Sequence, residues 1–129
     1  DCIQSLDSLP LIEKINEECL KQNTKIKGFL QINTENNPNQ FGFSKHEIEQ
    51  NLDTFFKFSH VKITGLMTIA PFNKSKKEIQ SSMREVFSLF KEIKKNYSFF
   101  EDLSMGMSND YKLAILEGST LIRIGRILL

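Results

Sequence analysis

The feature that most constrains the fold is a regular alternation of two hydrophobic periods along the chain. Short strand-like runs at 2–6, 27–34, 61–69, 103–107 and 121–126 are separated by stretches whose apolar residues recur at helical spacing. Leu11, Ile12, Ile15, Cys19 and Leu20 share one helix face, as do Ile48, Leu52, Phe55 and Phe56. A third and longer stripe is formed by Ile79, Met83, Val86, Phe87, Phe90 and Ile93. Strands that always return through a helix run parallel, and their crossovers are right-handed. The pattern predicts an α/β fold of five parallel strands alternating with four helices. Such a unit is either an open doubly wound sheet or the later part of a TIM-type (β/α)8 barrel, which needs about 250 residues when whole.

Local punctuation agrees with this division. Asp7-Ser8 can cap the first helix, and Ser44 with Glu47 three residues on is a capping-box pattern for the second. Pro71 ends the third strand because proline has no N–H for a ladder. The segment Asn36-Asn37-Pro38-Asn39-Gln40-Phe41-Gly42 reads as a long loop. In the second strand Gln31 and Asn33 alternate with Leu30 and Ile32 and therefore face away from the helices. Either they satisfy each other across strands or they meet a ligand.

Composition narrows the function classes. A formal charge of +1 over 129 residues offers no field for nucleic acid or a membrane surface. Lys74, Lys76, Lys77, Lys91, Lys94 and Lys95 are interleaved with glutamates, the mark of a solvated helix face. Cys2 and Cys19 form neither a disulfide framework nor a metal spacing, and no apolar run reaches the length of a membrane span, so the expected setting is cytoplasmic. His46 and His60 have no partner at ligand spacing.

Two segments carry the candidate chemistry. Leu103-Ser104-Met105-Gly106-Met107-Ser108-Asn109-Asp110 looks like a buried strand running into a helix over 111–117, which Gly118 would close. Unpaired N–H groups in the turn at Met107 to Asn109 would suit a phosphate. Leu121-Ile122-Arg123-Ile124-Gly125-Arg126 would bring a fixed cation, Arg123, and a close-approach glycine, Gly125, to the same end of the sheet. The residues alone leave a plainer reading open, in which two methionines pack a tight strand end and Arg123 is an ordinary ion-pair partner.

Leu103-Ser104-Met105-Gly106-Met107-Ser108, followed by Gly118-Ser119-Thr120 and Arg123-Ile124-Gly125, closely resembles the pyridoxal-phosphate homeostasis proteins, single-domain relatives of the alanine racemase barrel. Gln4-Ser5-Leu6-Asp7-Ser8, Leu30-Gln31-Ile32-Asn33 and Gly65-Leu66-Met67-Thr68-Ile69-Ala70-Pro71 look like that family's preceding strands in the same order. The resemblance implies that residues 1–129 are one partial barrel lacking its N-terminal strands. It implies that the barrel binds pyridoxal 5′-phosphate at the C-terminal ends of its strands. The family's phosphate contacts fall on Ser108 and on the backbones of Met107 and Gly125, and its arginine near the pyridine ring falls on Arg123. Met67 would lie near the ring, although simple core packing accounts for it equally well. The implied role is a non-catalytic carrier that buffers the cofactor and delivers it to dependent apoenzymes. Alternatives are a fragment of an amino-acid racemase or decarboxylase barrel, or an inactive phosphate-binding α/β fragment.

Two departures qualify the match. Arg126 stands where the family has a small hydroxyl residue, which removes a phosphate contact. The family's covalent lysine lies on the first barrel strand, a portion this chain does not contain, so no lysine here takes that role. Open sheet edges would favour pairing with a second copy or with the remaining strands.

Overall fold

The computed structural model describes residues 1–35, 41–71 and 73–128. In chain order the elements are β1 (Cys2–Leu6), α1 (Leu9–Lys21), β2 (Ile26–Gln31), α2 (Lys45–Gln50), α3 (Leu52–Phe56), β3 (Val61–Met67), α4 (Lys76–Asn96), β4 (Asp102–Ser104) and α5 (Tyr111–Leu116), ending in a 3-10 turn at Arg126–Leu128. The strands form one parallel sheet in the order β1-β2-β3-β4. Each strand is thus added beside the last with no reversal among the described strands, which is the order of a barrel wall and not of a doubly wound sheet.

The helices start where side chains replace missing backbone partners. The Ser8 hydroxyl accepts the Leu11 N–H at 3.3 Å, and Ser75 does the same for Glu78 at 3.1 Å. Ser44 and Glu47 close a full capping box. On α4, Glu78 in the first turn and Lys94 and Lys95 in the last complement the helix dipole. The face of α4 carrying Met83, Val86, Leu89, Phe90 and Ile93 is buried. It joins Leu6, Leu30, Ile32, Ile63, Leu66, Leu103 and Met105 from the strand side in one core between sheet and helices. Asn16 on α1 pins the start of β3 by accepting the N–H groups of His60 (2.8 Å) and Val61 (3.2 Å).

The other face of the sheet is polar. Lys27 Nζ lies 3.1 Å from the Asp102 carboxylate, which also accepts the Thr64 hydroxyl at 2.9 Å. That contact holds the Lys27 ammonium above the usual lysine range, chiefly through its hydrogen bond to Asp102. Further along, the Ser104 hydroxyl on β4 reaches Gln4 on β1 at 2.6 Å. Those two strands flank the sheet at its opposite ends, so their side chains meet only because the sheet curves. The curvature coincides with a bulge at Thr64, where pairing passes from Gly28↔Ile63 to Phe29↔Gly65. Beside it, a Cβ on Gly65 would stand 2.0 Å from the Asp102 carbonyl oxygen.

The element count departs from expectation in two places. The single helix expected after Ser44 is broken at Asn51, whose side-chain amide donates to the Glu47 carbonyl at 2.7 Å. That bond serves a carbonyl the helix would otherwise serve with backbone, and α2 gives way to α3. The fifth strand does not form as a strand. Leu121 makes one bridge to Ser104, through Leu121 N–H to Leu103 O and Met105 N–H to Leu121 O, both at 3.1 Å, and Arg123 N–H to Gly106 O at 2.9 Å follows. Side chains share the earlier positions: Leu103 N–H donates to Thr120 Oγ1 at 2.8 Å while its carbonyl accepts the Thr120 N–H at 2.9 Å, and the Ser119 hydroxyl lies 2.8 Å from both the Met105 and Leu121 carbonyl oxygens. Among the described residues the result is four strands and five helices in place of five and four. The second and third strands also stop earlier than expected, at Gln31 and Met67. Of the loop expected over 36–42, residues 36–40 lie outside the described residues; Gln31 Nε2 donates to the Phe41 carbonyl at 3.2 Å, which gives that glutamine a structural role.

Gly65 gives a test of the curved packing. Gly65→Ala drives a methyl group into backbone, so a loss of at least about 2 kcal/mol is expected in denaturant unfolding. A change within about 0.5 kcal/mol would contradict the close approach of β3 and β4.

Candidate functional site

At the C-terminal ends of the strands a cleft of ≈ 670 Å³ opens between the segment after β3, the turn after β4 and the segment before the 3-10 turn. Its walls bring together Met107, Ser108, Asp110, Arg123 and Gly125, with Arg126 at the rim. The two segments singled out in the sequence therefore converge on one space. The size suits a small-molecule ligand, for which pockets of roughly 300–1,000 Å³ are usual.

Arg123 is held by β-sheet groups on the polar face. Its Nη1 donates to Ser104 Oγ at 2.6 Å, and its Nη2 donates to the Thr68 carbonyl at 2.8 Å. Burial pushes its pKa below the usual guanidinium value, and the nearby negative charge of Asp110 opposes that shift. An arginine remains charged through such shifts. Among the described residues it makes no ion pair, so the ordinary ion-pair reading is not what the structure shows. The cleft thus presents a half-buried cation with donors to spare.

The turn after β4 is built by its own residues. Gly106, at φ +103°, allows α5 to pass where a Cβ would stand 2.6 Å from Ala114 Cβ. Gly118, at φ +98°, ends that helix as its left-handed position requires, with Phe87 beneath it. The turn differs from expectation at Met107, whose backbone N–H already donates to the Asp110 carboxylate at 2.6 Å. Asp110 precedes α5 but caps this turn and not the helix, so the Met107 N–H is engaged, and a phosphate would have to displace a carboxylate to use it. The Met107 side chain is 46% exposed at the cleft, whereas Met105 is fully buried, so only one of the two methionines packs the strand end.

Ser108 is better placed. Its Oγ accepts the Ile127 N–H at 3.3 Å, tying the two cleft segments together and leaving its own O–H to donate. A Cβ on Gly125 would meet nothing within 4 Å, so the space against that backbone belongs to the cleft. Met67 does not line the cleft. It is buried on β3, paired in register with Ser104 and Gln31, one residue from the carbonyl that holds Arg123. Ser104, Thr68 and Gln4 were not assigned roles from the sequence. Ser104 and Thr68 stood inside the motifs quoted above, and their burial beside a charged residue was the missing signal. No cluster of three metal-ligating residues occurs among the described residues, and His60 Nδ1 contacts Ser59 Oγ at 2.6 Å. No helix among them is long and apolar enough to cross a membrane.

With this geometry in view, comparison with known proteins is decisive. The family described as alanine racemase, N-terminal domain, matches residues 1–129. The chain belongs to that family. A curated relative from Helicobacter pylori, named a pyridoxal phosphate homeostasis protein, is 37% identical over 130 residues, covering 98% of this chain and 55% of the relative. The chain spans a little over half the length of the curated relatives it matches. Among solved structures, PipY of Synechococcus elongatus without PLP superposes with a TM-score of 0.89 at 31% identity, over 97% of this chain and 59% of PipY. The same protein with PLP bound gives 0.84 over 97% of this chain and 58% of PipY. An alanine racemase from Clostridium difficile, 18% identical, shares the fold with a TM-score of 0.70 over 98% of this chain and 32% of that enzyme. The parallel sheet described above is therefore that of the alanine racemase N-terminal domain family.

Asp110 supplies a prediction about the cleft. Asp110→Asn keeps an acceptor for the Met107 N–H and removes a negative charge from the wall. Inorganic phosphate should then bind about fivefold more tightly in low-salt calorimetry. An unchanged affinity would mean that the carboxylate does not oppose an anion held there.

Proposed function

We propose that the protein binds pyridoxal 5′-phosphate in this cleft and holds the cofactor in reserve for dependent apoenzymes, without catalysing a reaction of its own. The observation that carries the reading is Arg123: a half-buried guanidinium, fixed by two hydrogen bonds on the sheet side and in no ion pair among the described residues, with only the Asp110 charge nearby. A cation desolvated in this way is stabilised by an electron-rich partner from outside the chain. The names of the curated relatives and the PLP-bound form of PipY point to the same ligand.

The residues present fit the group. The Ser108 hydroxyl and the open backbone at Gly125 offer a phosphate a donor and close approach, while Met107 walls the mouth. Arg126 contributes a further positive charge at the rim in place of the hydroxyl expected there. When bound, the cofactor supplies an aldehyde and an electron-withdrawing ring. Arg123 beside the ring nitrogen would disfavour its protonation and weaken that withdrawal, so the site would retain the cofactor better than it would use it. No lysine is among the described residues lining the cleft, and a covalent anchor is expected from the family's first strand. We read the chain as the later strands of the barrel, forming a single domain, with the exposed edge of β1 pairing either with the remaining strands or with a second copy.

A racemase or decarboxylase on this barrel needs an opposing acid–base residue, and neither tyrosine lines the cleft: Tyr111 opens α5, and Tyr97 is engaged elsewhere. Tyr97 stacks against Phe56 at 4.6 Å between ring centroids, in an aromatic cluster with Phe99. That cluster borders a different cleft, at the N-terminal ends of the strands.

Titration of the full-length protein with pyridoxal 5′-phosphate, followed by absorbance and by retention through dialysis, tests the proposal. Arg123→Met should weaken binding about 10- to 100-fold and Ser108→Ala about 3- to 10-fold. Binding unaffected by both substitutions, or racemisation of alanine at enzymatic rates, would overturn it.

A further inference from the structure

Arg123 does not hold itself. Its Nη1 meets Ser104 Oγ at 2.6 Å, and Ser104 is fully buried on the polar face of β4. The protons in this cluster can be assigned from chemistry alone. A guanidinium only donates, so Ser104 Oγ accepts from Arg123. The hydroxyl's single proton must then go to another acceptor, and the atom 2.6 Å away is Gln4 Oε1. This fixes the Gln4 amide with its oxygen toward Ser104, an orientation that coordinates alone do not distinguish from its flip. The chain runs in one direction: guanidinium to hydroxyl to amide oxygen, from the segment after α5, through β4, to β1.

The direction has an energetic consequence. Each donor in such a series polarises the next, so the hydroxyl becomes a better acceptor for Arg123 because Gln4 takes its proton. On the other side of the guanidinium, Nη2 is fixed by the Thr68 carbonyl at 2.8 Å. With one bond to each Nη, the guanidinium plane cannot rotate without breaking one of them. Its remaining N–H donors keep one orientation toward the cleft before any ligand arrives, which removes an ordering cost from binding.

We propose that Ser104, supported by Gln4, is a positioning residue that aims the Arg123 guanidinium into the cofactor cleft. The inference rests on the cofactor reading above. Ser104 lies outside the set of cleft-lining residues and acts only through Arg123. Thr68 is the second holder, but its contribution is a backbone carbonyl, so substitution there leaves the contact in place. Ser104 is therefore the position at which the arrangement can be tested by side-chain change.

The test is a double-mutant cycle on the full-length protein with pyridoxal 5′-phosphate as the probe, each variant first shown to unfold cooperatively on heating. Ser104→Ala should weaken binding about tenfold in the parent background and less than about twofold in an Arg123→Met background. The pair Ser104→Thr and Ser104→Val, equal in volume and differing in the hydroxyl, should separate: the threonine variant keeps affinity near the parent's and the valine variant loses it. Gln4→Leu should give a smaller loss than Ser104→Ala. If Ser104→Ala binds like the parent while Arg123→Met is weakened, the positioning role is wrong and the cofactor site stands. Equal losses from Ser104→Ala in both backgrounds, or threonine and valine behaving alike, also overturn the proposal. If Arg123→Met has no effect on binding, the cofactor reading itself fails and this inference with it.

Discussion

A guanidinium that leaves water must find acceptors, and the places where this chain supplies them are set by where its strands stop. Thr68 offers its carbonyl to Arg123 because β3 ends at Met67, while the Thr68 N–H still completes the sheet by donating to Ser104 O at 3.0 Å. Ser104 offers its hydroxyl because it is the last residue of β4 and faces the side of the sheet opposite the helices. The end of regular pairing and the start of the candidate site are thus the same structural event. The same curvature lets Ser104 touch Gln4 across two intervening strands.

Most of the architecture could be read from periodicity because each helix buries one clear stripe and each strand sits between turn signals. Ile12 and Cys19 on α1, and Met83, Val86, Phe90 and Ile93 on α4, are buried as the spacing requires, whereas Leu11 and Leu20 at the edge of the α1 stripe are exposed. Caps were legible for the same local reason: Ser8, Ser44 and Gly118 act within four residues of themselves in sequence. What escaped depends on competition between side chains and backbone. Asn51 splits a helix because its amide reaches the Glu47 carbonyl, and Ser119 with Thr120 take ladder positions from the strand that would have followed. Nothing in the apolar pattern distinguishes these hydroxyls and amides from solvated ones.

The candidate site shows the same division. Convergence of the Ser108 turn with the segment carrying Arg123 and Gly125 followed from parallel topology and was legible. The state of the individual donors was not. Asp110 stands at the position where an aspartate usually caps the following helix, but its carboxylate takes the Met107 N–H, three residues back. Ser104 and Gln4 are 100 residues apart, and no local rule couples them. A family resemblance pointed to Arg123, but what holds Arg123 in place is visible only in three dimensions.

The strand order bears on where the proposed ligand would lie. In a doubly wound sheet a ligand lies where the order reverses and helices change faces. Here β1 to β4 follow one another without reversal, and the main apolar core lies on the helix side, with Phe29 and Met67 buried on the other. The opposite face carries a series of polar groups in two separate clusters, Lys27 with Asp102 and Thr64 and, further along the strands, Gln4 with Ser104. Toward the N-terminal ends that series closes on itself, because the Lys27 charge is met by Asp102. Toward the C-terminal ends it finishes on Arg123, whose charge no described residue meets in an ion pair. A polar surface whose cation is paired at one end and, at the other, is immobilised with only the nearby Asp110 charge to oppose its burial favours an anionic ligand at the second end.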